Sequence, residues 1–293
     1  MPVASPAGGA ATARALRAVG ANAYGRPVSS SSQGQPPQVT ERQIKQQLGR
    51  IMRDVEGWQA AASVHTLLPP VQPGSSLAGD DRRSEPYQLS HGVEHLVGAA
   101  VEHLHGIKAL VLDARVLHNS VPFTLARGAI EAGAMALWLM APTSRAERVT
   151  RRLRQTAQDA RDGTRLALEA GSTPPRPLAD RLVGMEAIAQ QLNGQRIALP
   201  RLTSTEVVRE AERVATTPLH VMVAWQIASG FAHGRQWATL SVLDQHTDTP
   251  AESDVVRVRL TNPLRNVLWV SWVGHALVEE ALQLYELRAA RPL

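Results

Sequence analysis

Between Val121 and Met140 the chain reads Val-Pro-Phe-Thr-Leu-Ala-Arg-Gly-Ala-Ile-Glu-Ala-Gly-Ala-Met-Ala-Leu-Trp-Leu-Met, which is apolar on almost every face of a helix. A helix of this kind has no side to offer water and must be surrounded by other elements. Ser120 and Pro122 supply its start. Its longest apolar stretch, Gly128 to Pro142, is interrupted by Glu131 and stops short of a membrane span, and the next long apolar run, Val267 to Val278, is too short for one and contains His275. The expectation is a soluble all-α protein, a bundle of about seven helices, with Val121–Met140 as its central buried element.

The rest of the chain supplies the surround. Residues 1–39 are rich in Ala, Ser, Gly and Pro, carry Arg14, Arg17 and Arg26, and have no acidic residue. Such a composition cannot bury a core, so a disordered tail is expected, read as an ordinary flexible tail in preference to an organellar targeting segment. A single helical-bundle domain is expected over 40–293. Thr40-Glu-Arg-Gln spells a capping box, and Ile44, Leu48, Ile51, Met52, Val55 and Trp58 continue at helical spacing to about Val64. The Pro- and Gly-rich stretch Leu67–Leu89 reads as a long loop, and Ser90 as the cap of a helix reaching about Asn119. Ser144-Arg-Ala-Glu147 opens a helix ending near Gly171, with Val149, Leu153, Ala157 and Ala160 on one side and Arg148, Arg151, Arg154, Arg161 and Arg165 on the other. That predicts a surface helix with a solvated basic face. Shorter helices follow over Leu178–Leu192, stopped by Gly194, over Ser204–Ala215, and over His220–His233 with Pro218 at its first turn. Trp237–Leu243 and Val255–Leu260 read as two strands of a hairpin around the polar loop Asp244–Asp254. Asn262-Pro263 then caps a last helix to about Arg288.

Composition narrows the chemistry. With no cysteine there is no disulfide, thiolate nucleophile, zinc ribbon or iron–sulfur cluster. Basic residues exceed acidic ones by 31 to 26, and Lys45 and Lys108 are the only lysines, a compositional bias that by itself makes no case for nucleic acid. His91, Glu94, His95, Glu102, His105 and Asp113 fall within a sector of about 100° on one helix. His91 and His95 have a metal-compatible spacing, but Glu-x-x-His occurs once, at Glu102–His105, and on no second helix, and no His-Glu-x-x-His occurs, so the sector reads as a solvated face or a partner contact, and no metal or cofactor is expected. His118 falls on the apolar side and reads as a hydrogen-bonded core histidine.

Arg127 and Glu131, at i and i+4 in the most apolar helix, read either as a structural ion pair or as the polar wall of an interhelical pocket in which Arg127 binds an anionic group and Glu131 orients it. Ser229 and His233 are also at i and i+4, within hydrogen-bonding reach, while Gly230 hints at close backbone approach. No Gly-x-Ser-x-Gly elbow, third acid, Walker A or Rossmann spelling accompanies them, so the simplest role for this pair is structural.

The Arg-Gly-Ala-Ile-Glu-Ala helix, the following Ala-Leu-Trp-Leu-Met-Ala-Pro, the Arg-rich helix and the Ser229-Gly-Phe-Ala-His-Gly segment together resemble uncharacterised actinobacterial helical proteins distantly similar to HEPN-like bundles. That superfamily holds RNA-cleaving toxins and defence factors beside members without known activity. The likeness covers about Ser90 to Trp237. It implies an α-helical bundle in which Arg127, Glu131, Ser229 and His233 line one interhelical site. Catalytic HEPN proteins carry an arginine separated from the histidine by four to six intervening residues, where this chain has Gln226, Ile227 and Ala228; Arg235 follows His233 instead, beyond Gly234.

The leading expectation is therefore a cytoplasmic binding or regulatory protein with a polar interhelical pocket and no complete catalytic constellation. The alternative is a metal-independent ribonuclease with His233 as base, Arg127 or Arg235 stabilising phosphate charge, and Arg148, Arg151, Arg154 and Arg161 holding the RNA backbone, with Trp237 beside them. A third reading is a partner-binding module using the His/Glu helix face. The partners implied are an unidentified ligand or RNA, with self-association into a homo-oligomer left open and no membrane.

Overall fold

The computed structural model describes residues 39–194, 198–216, 220–247 and 257–291. The tail over 1–38, Pro218, most of the polar loop and the start of the second expected strand lie outside them. Among the described residues there are ten α-helices and one two-stranded antiparallel sheet, so the fold is helical as expected, with more helices than the seven or so read from the sequence. No helix among them is long and apolar enough to cross a membrane.

The helices are α1 Glu41–Ser63, α2 Ser76–Ser84, α3 Leu89–Lys108, α4 Val121–Met140, α5 Arg145–Glu169, α6 Leu178–Asn193, α7 Ser204–Val214, α8 Val221–Ala232, α9 Gln236–Val242 and α10 Leu264–Ala289. A π-helical turn, Ala109–Asp113, follows α3, and β1 Asp244–Thr247 pairs with β2 Val258–Thr261. The chain divides into two compact units. The first comprises residues up to 59, 101–130 and 217–276; the second comprises 60–100, 131–216 and 277–293.

Local signals decide most helix ends. Thr40 forms its capping box: its N–H donates to Gln43 Oε1 (2.8 Å) and its Oγ1 accepts from the Gln43 N–H (3.3 Å). Ser144 and Thr203 cap α5 and α7 through the N–H groups of Glu147 and Glu206. Gly194 ends α6 in the left-handed region at φ 69°.

In the first unit, Leu48, Met52 and Val55 of α1, Leu104 and Ile107 of α3, Phe123 and Ala126 of α4, Ala224 and Phe231 of α8, and Val267, Val270 and Val273 of α10 are buried. Phe123 and Phe231 stack with centroids 3.9 Å apart. The expected strand Trp237–Leu243 is instead α9. Ala238 and Val242 are buried at i and i+4 while Trp237 and Leu240 are exposed, which is the helical period and not the alternating one. Tertiary contact overrides strand propensity here: a Cβ on Gly230 would stand 2.6 Å from the Ala238 Cβ, so the missing side chain lets α9 fold back against α8. Gly234, at φ 63°, makes that reversal possible. The hairpin exists but begins only at Asp244. Asn262 reaches sideways, donating to the His118 carbonyl and accepting from Asn266. His118 itself is exposed in the connection after the π turn, not buried on an apolar helix face, because α3 stops at Lys108. There the Lys108 ammonium joins Glu56 of α1 to Asp113, one π turn further on.

In the second unit, Val149, Leu153, Ala157 and Ala160 of α5 pack with Met185 and Ala189 of α6 and with Leu199. The stretch expected to be a loop contains α2, capped by Ser75, whose Oγ accepts from the Ala78 N–H (3.0 Å). Ser90 is not a cap; its N–H and hydroxyl both donate to the Asp81 carboxylate, at 2.9 and 2.7 Å.

The largest departure concerns the α5 arginines, whose face was expected to be solvated. Arg148 is buried, and its guanidinium donates to Asp80 Oδ2 (2.7 Å) and Oδ1 (2.8 Å) and to the carbonyls of Pro142 and Thr143. Arg151 donates to Trp138 O (2.8 Å) and lies over the Trp138 ring, and Arg288 of α10 donates to Met140 O and Pro142 O. The last carbonyls of a helix have no partner inside it, and α4 ends among apolar side chains. Guanidinium groups, with several donors in a rigid fork and a positive charge facing the negative helix end, satisfy those carbonyls. Arg154 pairs with Glu206 (2.9 Å), and Arg161 donates to Leu199 O (2.6 Å).

Candidate functional site

The second unit contains a cavity of about 320 Å³, half open to solvent and within the size range of small-molecule sites. Leu96 of α3, Met135 of α4, and Val207 and Val208 of α7 give it an apolar floor. Glu131 of α4 lines it, as do Gln155, Gln158, Asp159 and Asp162, one polar stripe of α5 at steps of three and four residues. This stripe is interleaved with the arginines on the side of α5 away from Val149, Leu153, Ala157 and Ala160. Its spacing was present in the sequence, but periodicity alone could not tell a cavity wall from a solvated edge.

Each polar group differs in how far it is satisfied. Gln158 is bonded at both ends of its amide: Nε2 donates to Asp162 Oδ2 (3.0 Å) and Oε1 accepts from the Leu202 N–H (3.3 Å), tying α5 to the segment before α7. Gln155 is nine-tenths buried, and its Oε1 accepts from Arg152 Nη1 (2.9 Å). That bond fixes the amide orientation and leaves Nε2 without a hydrogen bond among the described residues. Asp162 has Arg165 at 3.3 Å on its exposed side. Asp159, on the rim, makes no hydrogen bond or close ion pair among the described residues. Desolvation by its neighbours raises its pKa above the ordinary aspartate value, Arg152 pulls it back, the Asp162 charge adds to the rise and His95 opposes it. Arg152 is lowered by burial, with Asp159 and Asp81 opposing that shift; its Nε donates to the Gln88 carbonyl (3.2 Å). The lining thus contains three carboxylates and no Lys, Arg or His, in a chain whose formal charge is +5.

A second cavity of about 450 Å³ in the same unit lies among Leu137, Ala141, Leu284 and Leu287, with Arg151, Arg213, Glu210 and Glu280 on its wall. Its charges neutralise one another. Arg151 and Arg213 both bond Glu210, which lowers the Glu210 pKa, Arg213 most of all, and raises that of Arg213.

The residues singled out from the sequence are distributed over both units. Glu131 is in the second, on the 320 Å³ cavity, while Arg127 is in the first and does not line that cavity; both are half-buried. Arg148, Arg151, Arg154 and Arg161 are in the second unit and are engaged as described. Ser229, His233, Arg235 and Trp237 are in the first. The expected Ser229–His233 side-chain bond does not form: the Ser229 hydroxyl is buried without a hydrogen-bond partner among the described residues, while the His233 backbone N–H donates to the Ser229 carbonyl (3.0 Å). His233 is exposed just past the end of α8, followed by exposed Arg235 and a Trp237 that is 52% accessible. On α3, His91, Glu94, His95 and Glu102 face solvent. Among the described residues no group of three or more His, Asp or Glu side chains is arranged to hold a metal ion. Comparison with protein-family models, with curated proteins and with solved structures finds no match for this chain.

Proposed function

We propose that this protein is a cytoplasmic small-molecule-binding or regulatory module whose ligand occupies the 320 Å³ cavity of the second unit. The observation that carries the reading is the combination in one cavity of an apolar floor with polar groups left available, Asp159 and the Gln155 amino group, beside a Gln158 that is bonded at both ends of its amide and ties α5 to the segment before α7. Preorganised polar atoms above an apolar floor are what orient a small ligand, and no nucleophile with its base lines the cavity. The 450 Å³ cavity is a weaker candidate because its charged groups are already paired.

The test is a thermal-shift screen of a diverse metabolite library against the wild type and Ala132→Trp, which fills the cavity from α4. Compounds that raise the melting temperature of the wild type and not of the variant are expected. Stabilisers acting equally on both proteins would remove the reading.

The second reading, a HEPN-type metal-independent ribonuclease, is favoured by one observation: His233, Arg235 and Trp237 are exposed together around the Gly234 turn, where a histidine base, a cation and a stacking platform would be accessible to single-stranded RNA. The arginines of α5 support it less, since an RNA backbone would compete with bonds they already make. Cleavage of mixed RNAs in EDTA by the wild type, lost in a folded His233→Ala variant, is the result it requires.

A further inference from the structure

We propose that the exposed basic face of α1, together with the arginine-bearing residues that lead into it, binds the sugar–phosphate backbone of a nucleic acid without regard to base sequence. This needs neither a ligand in the 320 Å³ cavity nor cleavage at His233.

The distribution of charge is the first argument. Residues 1–53 hold seven basic side chains and one acidic one, Glu41. The remaining 240 residues hold 24 basic and 25 acidic side chains, so the whole basic excess of the chain lies in this one stretch. A compositional preference for arginine would be spread along the sequence. A stretch so one-sided attracts a polyanion, and a basic segment leading into a folded domain is a recurrent nucleic-acid contact.

The state of the α1 side chains is the second and independent argument. Arg42, Gln46, Gly49, Arg50, Arg53 and Gly57 fall within a sector of about 100°, opposite the buried Ile44, Leu48, Ile51 and Val55. Arg42, Arg50 and Arg53 are exposed and make no hydrogen bond or ion pair among the described residues. The acidic residues of the same helix are engaged elsewhere: Glu41 with Lys45 (2.6 Å), Asp54 with His275 (3.1 Å) and Glu56 with Lys108. The arginines of α5 are taken up by carboxylates and carbonyls, whereas those of α1 keep all their donors for a partner.

Shape and chemistry choose among polyanions. The three guanidinium groups are carried over about 17 Å of helix, a length along which one strand of a duplex presents about five phosphates. A Cβ at Gly57 would stand in open space, and at Gly49 the nearest side-chain atom is Arg53 Nη1 at 3.7 Å, so nothing larger than a glutamine separates the arginines and a phosphate backbone can come close. Guanidinium groups bond phosphate oxygens through paired donors. The face carries no apolar side chain to enter a lipid surface, which favours nucleic acid over a membrane.

The test is fluorescence anisotropy on the full chain with a single-stranded RNA and a DNA duplex, each about 30 nucleotides long and in two unrelated sequences, over about 50 to 200 mM salt. Micromolar binding is expected at the lowest salt, equal for the two sequences. With Arg14, Arg17 and Arg26 joining the three arginines of α1, log K should fall with log salt at a slope of about −4 on the single strand or about −5 on the duplex. Arg42→Gln/Arg50→Gln/Arg53→Gln is expected to weaken binding at least about tenfold and to lessen the slope by about 2 to 3, with an unchanged melting temperature because all three positions are exposed. The matched control Arg82→Gln/Arg83→Gln/Arg209→Gln removes the same charge from exposed positions elsewhere and should stay within about twofold of the wild type. Equal weakening by the control would show that affinity follows net charge alone and would overturn the proposal. So would an unchanged affinity in the α1 variant, or no binding of either probe at the lowest salt. Binding to phosphatidylserine vesicles that the α1 variant loses, with both nucleic acids unbound, would assign the face to lipid headgroups and overturn it as well.

Discussion

Replacing Asp80 by alanine isolates the energetic centre of the second unit. The Asp80 side chain has no exposed surface, and that of Arg148 is 2% exposed. Three bonds join Asp80 to guanidinium groups: two from Arg148, at 2.7 and 2.8 Å, and one from Arg145 at 3.0 Å. In Asp80→Ala, Arg148 keeps the Pro142 and Thr143 carbonyls and the Ser76 hydroxyl but loses the Asp80 carboxylate, and with it the charge that offsets its desolvation. Removing one member of a buried pair costs about 3–5 kcal/mol. At about 2–4 °C per kcal/mol for a body of this size, the melting temperature should fall by about 6–20 °C. Arg145→Ala is the internal control. Its side chain is 47% exposed and it contributes one bond, so water replaces most of what is lost and the cost should stay within about 1 kcal/mol. The double variant Asp80→Leu/Arg148→Met, which removes both buried charges and retains apolar volume, should recover much of the loss. Urea unfolding followed by circular dichroism on the four proteins gives the comparison. A cost of Asp80→Ala below about 1 kcal/mol, or one no greater than that of Arg145→Ala, would show that this pair does not hold α2 to α5.

Gly230→Val should destabilise the first unit by about 1–3 kcal/mol, since even a Cβ would lie 2.6 Å from Ala238 and 2.8 Å from the Trp237 ring; a melting temperature equal to that of the wild type would refute the close α8–α9 contact. Tyr285 is pushed up to about 12 by burial, with the Asp81 and Glu94 charges adding to the shift, so a phenol titration should show it ionising well after an ordinary tyrosine. Because the unfolded phenol ionises first, the stability Tyr285 contributes is intact below about pH 10 and is lost as pH rises toward 12; Tyr285→Phe should lessen that alkaline loss, and an unchanged alkaline profile would count against it. The Asp159 shift has the same sign at lower pH. Its contribution is present below the unfolded aspartate value and lost as the folded carboxyl ionises, so Asp159→Asn should raise the melting temperature near pH 7 and leave it unchanged near pH 3, as differential scanning calorimetry at the two pH values will show.

Sequence by itself determined the elements whose signals are local or periodic. Val121–Met140 was legible to the residue because its apolar character is continuous, and the ends at Thr40, Ser144 and Gly194 were legible because capping uses the side chain or the φ freedom of the capping residue itself. The all-α class followed from these. Glu131 was picked out because a charge in an apolar helix needs an explanation, and it does line the cavity. What tertiary structure decided was where polar groups point and what they meet. The α5 arginines form a regular basic face in the sequence, yet they turn toward Asp80, Glu206 and the carbonyl end of α4, because unsatisfied carbonyls and a buried carboxylate bind guanidinium more tightly than bulk water does. Trp237–Val242 has strand-like composition and becomes a helix because Gly230 admits it. The stripe from Gln155 to Asp162 acquires its candidate role only when Leu96, Met135 and Val208, remote from it in the chain, are brought opposite to enclose a volume. Periodicity tells which residues share a face; only the packing of other segments against that face tells whether it meets water, a carbonyl or an empty space that a ligand can fill.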